Sequence, residues 1–600
     1  MSRKLTPLGR TLIVASGLSL MAYGAHSYGL LDRLVPARAA RESKVPLRAE
    51  LPAAADPGLQ STTALRLPGD GTGCSDKPEV RMLVWAWNAQ MGALYANGGA
   101  QSTTGSLMCE HGVNLKLVRQ DDVARMQEDL VAFASALSRG EREPAAGAPL
   151  VSIMGDGSAA FLQGVDGLLG KLGPEYRARV VGSLGYSRGE DKFMGPQSWK
   201  DSPQSSRGGV VAGVLRDGDW NIAQKWLGDN GLCNNPDERS YDPDCLNWIS
   251  ATTYVDAAEK YVAGYCEQRP VVHQGRRSGE TRKVCTEGVV TWTPGDVIVA
   301  EKRGGLVSIV STREYSSQMP NVVIGVDRWL RDHRTTVEGL LEAAFDGADQ
   351  VRSHPEALRK GAQISAIVYA EPGADATYWQ TYFDVVRRAD RRGRSVELGG
   401  SSVNGLADNL VLFGLAPGSP SLFAATYTAF GDVVVAQYPD LVPSYPRVED
   451  VVDASYLKAI AARRSPRLPE PAPVPASTRL ESVLSRRAWN IAFETGQATF
   501  TPAARSELSQ LLRDLLVAGN TVVEVHGHTD SMGSRDANQS LSEARAFAVK
   551  AYLEGEAPRS FPQGRIRIFA HGQENPVAPN GTAEGRARNR RVEIVLGIAG

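Results

Sequence analysis

The alternation of apolar and polar residues changes period along the chain, and each change marks an element. Residues 523–530, Val-Glu-Val-His-Gly-His-Thr-Asp, alternate as a half-buried strand does. Leu541, Ala544, Ala548, Val549 and Leu553 then fall along one helical stripe, with Asn538 ahead of them as the expected N-cap. The pattern predicts a strand ending at Asp530 and a helix carrying Arg545 about two turns in. Upstream, apolar runs predict strands over 80–87, 112–118, 150–154, 179–184, 209–215, 297–300 and 306–310. Helical periodicity predicts helices over 123–137, 340–351, 379–391, 422–438 and 505–517, and a further strand lies around Ile491. Residues 267–286 are polar and basic and read as an exposed hairpin or loop. Strands alternating with helices from residue 79 onward predict an α/β fold.

The N-terminal pattern is different. Residues 11–31 contain no Asp, Glu, Lys or Arg, and 21 residues at about 1.5 Å each just cross a hydrocarbon core of about 30 Å. They read as one transmembrane helix behind a short basic cytoplasmic tail, 1–10. A cleaved signal peptide is the alternative: Ala37-Arg38-Ala39 looks like a cleavage site, but Asp32 and Arg33 separate it from the apolar run. Residues 32–78, rich in Ala, Pro, Arg and Ser, read as a tether, and 461–480, with its prolines, as a stiff linker. A chain of 600 residues holds several domains, here 79–460 and 481–600.

Composition narrows the chemistry. Apolar residues make up 42% and charged residues 22%, as in ordinary globular chains. A net charge of −1 supplies no basic field for nucleic acid. Six cysteines fall in sequence-local pairs, Cys74 with Cys109, Cys233 with Cys245, and Cys266 with Cys285. They are either three disulfides of an oxidising compartment or six buried thiols. No CxxC, HExxH, nucleophile elbow or phosphate loop appears, so neither an enzyme nor a cofactor is expected. His526, His528 and Asp530 share a strand face and are candidate metal ligands, but Ser531 stands where a further ligand is expected, so no metal site is predicted.

A strand-end carboxylate and a nearby guanidinium can together grip a zwitterion, Arg forking onto its carboxylate and Asp taking its ammonium. The run Thr529-Asp530, Leu541-Ser542, Arg545-Ala546, Val549, Leu553 resembles the OmpA-like C-terminal domain. So do Gly572 to Pro576, Asn580, Thr582, Gly585-Arg586 and Asn589 to Glu593. The resemblance covers about residues 486–597. It implies non-covalent binding of peptidoglycan, with Asp530 and Arg545 on the diaminopimelate part of the stem peptide and Thr529, Asn538 and Arg590 beside them. It also implies a compartment outside the cytoplasm, which favours disulfides.

In residues 79–460 several strands run into small polar clusters, and in open α/β sheets ligands sit beyond the carboxyl ends of strands. Trp87, Asn88, Asp156, Ser158, Ser187, Asp217, Ser311 and Thr312 are the candidate solute-binding residues. Each cluster taken singly is also ordinary turn chemistry. The segments 84–98, 185–191, 214–226 and 311–324 resemble the type 2 periplasmic substrate-binding fold, in its phosphate and nitrate/taurine-like branches. The expected fold is thus α/β: a two-lobed binding-protein-like domain, then a small OmpA-like domain, behind one transmembrane helix. Hydroxyls and helix N-termini favour an oxyanion, while the two Asp residues favour one that still carries a proton, such as hydrogen phosphate, or a zwitterion. The reading is an inner-membrane, single-pass envelope protein with its bulk in the periplasm, binding peptidoglycan and a small anionic or zwitterionic solute. In a second reading the two lobes are a scaffold that docks envelope proteins. A third, the wall-anchored subunit of a stator-type channel, needs an ionisable residue in the span, where only His26 stands.

Overall fold

A computed structural model describes residues 64–599, apart from 274, 469, 476–479, 490 and 517–520. The expected tail and membrane span at 1–31 lie outside the described residues. Among the described residues no helix is long and apolar enough to cross a membrane.

Two sheets organise the larger part of the chain. The first has six strands in the order Ser401–Val403, Ala178–Ser187, Pro320–Val326, Leu150–Met154, Glu79–Val84 and Asn114–Arg119. The second has five, in the order Val307–Ser311, Lys192–Gly195, Gly288–Thr291, Val210–Gly213 and Asn247–Ser250. Every residue of Leu150–Met154 and of Pro320–Val326 is buried. Strands covered on both faces carry unbroken apolar runs, which is why these segments lack a two-residue alternation. The chain crosses from the first sheet to the second through 188–191 and returns through 312–319.

Two expectations are corrected. Residues 297–300, read as a strand, lie in the helix Gly295–Lys302. Four apolar residues cannot distinguish the two states. The helix start decides it: Asp296 Oδ1 accepts from Val297 N at 2.8 Å and from the Thr293 hydroxyl at 2.9 Å. Residues 379–391, read as a helix, divide into the helix Ala376–Thr381 and the strand Val386–Ala389, which pairs with Ser395–Leu398. The signal was in the turn, where Asp390 Oδ1 accepts from the amides of Arg392 and Arg394 and Gly393 takes φ +77°. Residues 267–286 form the expected hairpin, Cys266–His273 against Arg276–Cys285.

Three disulfides join Cys74 to Cys109, Cys233 to Cys245 and Cys266 to Cys285. The first ties the described end of the presumed tether to the first lobe. There Arg66 N also donates to Gln350 Oε1, and Gly69 N to Thr104 O.

The C-terminal unit has a four-stranded sheet in the order Leu480–Trp489, Val592–Ala599, Thr521–Gly527 and Ile566–Ala570, with helices Ala504–Leu516 and Arg535–Glu556. The strand expected around Ile491 ends just before it, and Ile491 is buried in the core. The long helix begins earlier than its apolar stripe implies. Ser534 is its N-cap, accepting from Ala537 N at 3.2 Å, while Asn538 lies inside the first turn. The buried stripe is Asn538, Ser542, Arg545, Ala546, Val549 and Leu553; Ala544 faces solvent and Leu541 is half-buried. Polar Asn538, Ser542 and Arg545 face inward because they hold the loops at the strand ends. Gly527 permits this close packing: a Cβ there would come within 2.1 Å of Ser542 O.

Candidate functional site

The strand Thr521–Gly527 delivers His528, Thr529 and Asp530 to the top of the C-terminal sheet. His528 N donates to Arg591 O at 3.0 Å and Thr529 N to Gly572 O at 2.8 Å. Asp530 is 8% exposed; one carboxylate oxygen accepts from Met532 N at 2.9 Å and the other from Arg590 Nη1 at 2.6 Å. Arg545 reaches the same place from the long helix. It is buried, donates through Nε to Gln497 O at 3.1 Å, and lies over the Phe493 ring. Burial, then repulsion from Arg590, lower its pKa, and Asp530 is close enough to oppose that shift. The Thr529 hydroxyl is buried without a hydrogen-bond partner. Asn538 donates to Met532 O at 3.1 Å and to Gln573 Oε1 at 2.9 Å, so it shapes the loop after Asp530. One carboxylate and two guanidiniums thus stand together, with Arg590 on the Asp530 carboxylate and Arg545 retaining N–H groups beyond the one given to Gln497.

His526 and His528 are joined by a third imidazole. They stack on His571 at 5.0 and 4.7 Å between ring centroids, and among the described residues no group of His, Cys, Asp or Glu is arranged to hold a metal. Burial, then the neighbouring Arg591, lower His528 to a pKa of about 4.

The strand ends of the two larger sheets meet at a second place. A Cβ on Gly157 would lie 2.9 Å from Asp217 Oδ1, and one on Gly218 would lie 3.1 Å from Asp156 Oδ1. Asp156 and Asp217 therefore face each other across the two lobes. The four hydroxyls expected here are engaged within the protein. Ser187 Oγ and Thr312 Oγ1 lie 2.5 Å apart and accept from Asp191 N and Gly189 N, welding the two crossing segments together. The Ser311 hydroxyl donates to Glu314 Oε2 at 2.7 Å, and that of Ser158 to the Gly155 carbonyl. Trp87 is fully buried with its indole N–H unpartnered. Asn88 Nδ2 donates to Trp379 O at 3.3 Å, and its side-chain oxygen Oδ1 has no donor.

Sequence reasoning named two carboxylates here, Asp156 and Asp217, and missed three more. Glu190 and Asp191 on the first crossing, and Asp219 on the helix Gly218–Asp229, join Asp156 and Asp217; all five are buried or capped within the protein. Burial above all, then mutual repulsion, raises their pKa values. Asp156 is pushed up to about 8 and Asp191 to about 7, with Glu190 and Asp219 held well above the carboxylate range. Burial alone raises Asp217 to about 6. The neighbouring lysines are committed elsewhere: Lys192 Nζ is 2.6 Å from Asp296 Oδ2, and Lys225 Nζ is 3.1 Å from Asp229 Oδ2. Among the described residues no ion pair includes any of the five. The available signal was an acidic residue just past each strand end, in Glu190-Asp191 and Asp217-Gly218-Asp219.

Residues 492–590 match the OmpA family. This chain is 40% identical over 104 residues to outer membrane protein A of Bordetella avium, covering 17% of this chain and 52% of that protein. It is 39% identical over 106 residues to the peptidoglycan-binding protein ArfA of Mycobacterium tuberculosis, covering 18% and 32%. The chain spans about half the length of the first curated relatives it matches, or less. In structure it aligns with the periplasmic aliphatic sulphonate binding protein SsuA from Escherichia coli at 12% identity and a TM-score of 0.39, over 66% of this chain and 95% of that one. With the geometry around Asp530 on one side and the family match on the other, residues 492–590 are an OmpA-family domain.

Proposed function

We propose that this chain is a non-enzymatic cell-envelope protein that holds peptidoglycan through its C-terminal domain and takes a small solute between its two lobes. Residues 11–31 anchor it in the inner membrane and leave its bulk in the periplasm. The observation that carries the reading is the grouping of Asp530, Arg545 and Arg590 at the top of a domain of the OmpA family. Kinship with ArfA, a peptidoglycan-binding protein, supports the same ligand. Diaminopimelate presents an ammonium and a carboxylate on one carbon. Asp530 takes the ammonium and Arg545 forks onto the carboxylate, while Arg590 holds Asp530 in place. Thr529 adds a hydroxyl already stripped of water.

The test is co-sedimentation of the full chain with purified sacculi. Removing one member of a buried charged pair costs on the order of 2–5 kcal/mol of binding. Asp530→Ala and Arg545→Ala are therefore each expected to leave the protein in the supernatant. Pelleting of a folded double variant at the level of the unaltered chain would overturn the assignment.

A further inference from the structure

The second site, read as the place of solute capture, has a charge and hydrogen-bond inventory that specifies its ligand. Six side chains there are each at least nine-tenths buried: Asp156, Glu190, Asp191, Asp219, Asn221 and Gln318. Asp156 Oδ1, Glu190 Oε1, both oxygens of Asp191, Asp219 Oδ1, Asn221 Oδ1 and Gln318 Oε1 have no hydrogen-bond donor. Gln318 is neutral and fully buried; its amide N–H donates to Asp156 Oδ2 at 2.8 Å, while its own Oε1 has no donor. Burying a polar group without a partner is unfavourable, so a set of this size within one region marks a place where a ligand completes the bonding.

We propose that the space between the lobes takes a donor-rich organic cation, an aliphatic amine or polyamine, in place of an oxyanion. This rests on the solute-capture reading of the lobes. Three observations favour the cation. On these six side chains seven of the eight atoms lacking partners are acceptors, the indole N–H groups of Trp87 and Trp220 being unpartnered donors outside that set, and an ammonium offers only donors. The N-terminus of the helix Gly218–Asp229, which would otherwise hold an anion, is already capped by Asp217 and carries Asp219 in its first turn. The nearby buried lysines are ion-paired with Asp296 and Asp229, and Lys192 lowers the Asp191 pKa without returning it to the ordinary carboxylate range. A metal ion does not fit, since among the described residues no three carboxylates converge on one point at ligand spacing. In the unliganded chain protons do the neutralising, and Asp191 and Asp219 stand close enough to share one. An entering amine displaces such protons. Because the six side chains are buried, entry requires the lobes to part about the crossings at 188–191 and 312–319.

The experiment is calorimetry and thermal denaturation of the full chain with putrescine, spermidine, calcium chloride, sodium phosphate and taurine. Putrescine or spermidine is expected to bind with release of protons to the buffer and to raise the melting temperature, while phosphate, taurine and calcium do neither. Asp156→Asn and Asp219→Asn are each expected to weaken amine binding at least tenfold. Because each removes a repelling carboxyl, the unliganded variants should melt at the same temperature as the parent or higher, so loss of fold cannot imitate loss of binding. Binding of phosphate, taurine or calcium without binding of either amine overturns the inference and leaves solute capture standing. Silence with all five probes overturns both, and the lobes are then a docking scaffold.

Discussion

The C-terminal site and the space between the lobes both gather buried charge, and they balance it in opposite ways. At the top of the C-terminal sheet one carboxylate meets two guanidiniums, and Arg590 holds Asp530 at 2.6 Å. Between the lobes none of the five carboxylates forms an ion pair among the described residues, because Lys192 and Lys225 pair with Asp296 and Asp229. A satisfied charge pair is already held in place by its own partner. An unsatisfied cluster takes up protons until something cationic replaces them. The difference shows that burial of polar groups alone does not specify a ligand; the sign left over does.

The sharpest way to break the comparison is at Lys192. Lys192→Met strands Asp296 in the interior and adds another unpaired carboxylate to the region. Unpairing a buried ion pair costs about 3–5 kcal/mol, so the unfolding midpoint of the lobes in urea should fall accordingly. Nine of the ten tryptophans lie between residues 85 and 379, so fluorescence follows this region selectively. An unchanged midpoint would show that Asp296 does not depend on Lys192.

The disulfide Cys74–Cys109 closes a loop with a sequence separation of 35. Replacing both cysteines by serine should cost about 3–4 kcal/mol on the chain-entropy scale. The loss should appear in the lobes and not in the C-terminal domain, read by hydrogen exchange of peptides from each.

The two regions should respond to pH in opposite directions. His528 has a pKa of about 4 when folded and 6.5 when free. The unfolded chain therefore binds the extra proton between those values. The C-terminal domain keeps this contribution above pH 6.5 and loses up to about 3 kcal/mol as pH falls toward 4. Asp156 runs the other way, from 3.8 when free to about 8 when folded. The folded lobes hold the proton, so stability is fullest below pH 4 and declines as pH rises toward 8, by up to about 1.4 kcal/mol per unit. Its neighbours Asp191 and Asp217 act in the same sense. Hydrogen exchange of the helices Gly218–Asp229 and Arg535–Glu556 at pH 4.5, 6 and 7.5 checks both signs at once.

The smallest effect concerns Arg590, whose side chain is 45% exposed. Arg590→Ala leaves Asp530 held by Met532 N and still near Arg545. Sacculus binding should weaken by up to about tenfold, roughly 1.4 kcal/mol, well short of the Arg545→Ala loss.

Much of this was legible before any coordinates. The helices Val123–Ser138 and Leu422–Gln437 follow from runs long enough to have one reading. The cysteine pairs are close in sequence, and short loops close readily. Asp530 and Arg545 stand in one local motif, because a strand and the helix after it must carry their chemistry at a fixed separation. The gaps have physical causes too. Residues 297–300 and 379–391 were misread because their decisive groups, Asp296 at a helix start and Asp390 in a turn, act on backbone amides and leave no periodic trace. Asn538 was taken for a cap because the true cap, Ser534, lies in a stretch whose polarity looks like loop.

What the sequence determined alone is therefore local: element types where a run is long, the disulfide pairs, and the grouping of Asp530 and Arg545 at one end of the C-terminal sheet. Whether a buried group is paired was decided only in three dimensions. Asp156, Glu190 and Asp219 arrive from three separate segments, and nothing in any one of them says that the lysines will face elsewhere. Hydrogen-bond and ion-pair partners are chosen by the packing of whole sheets, so the charge left uncompensated between the lobes is a property of the tertiary structure, and the cationic ligand inferred from it could not have been read from the chain.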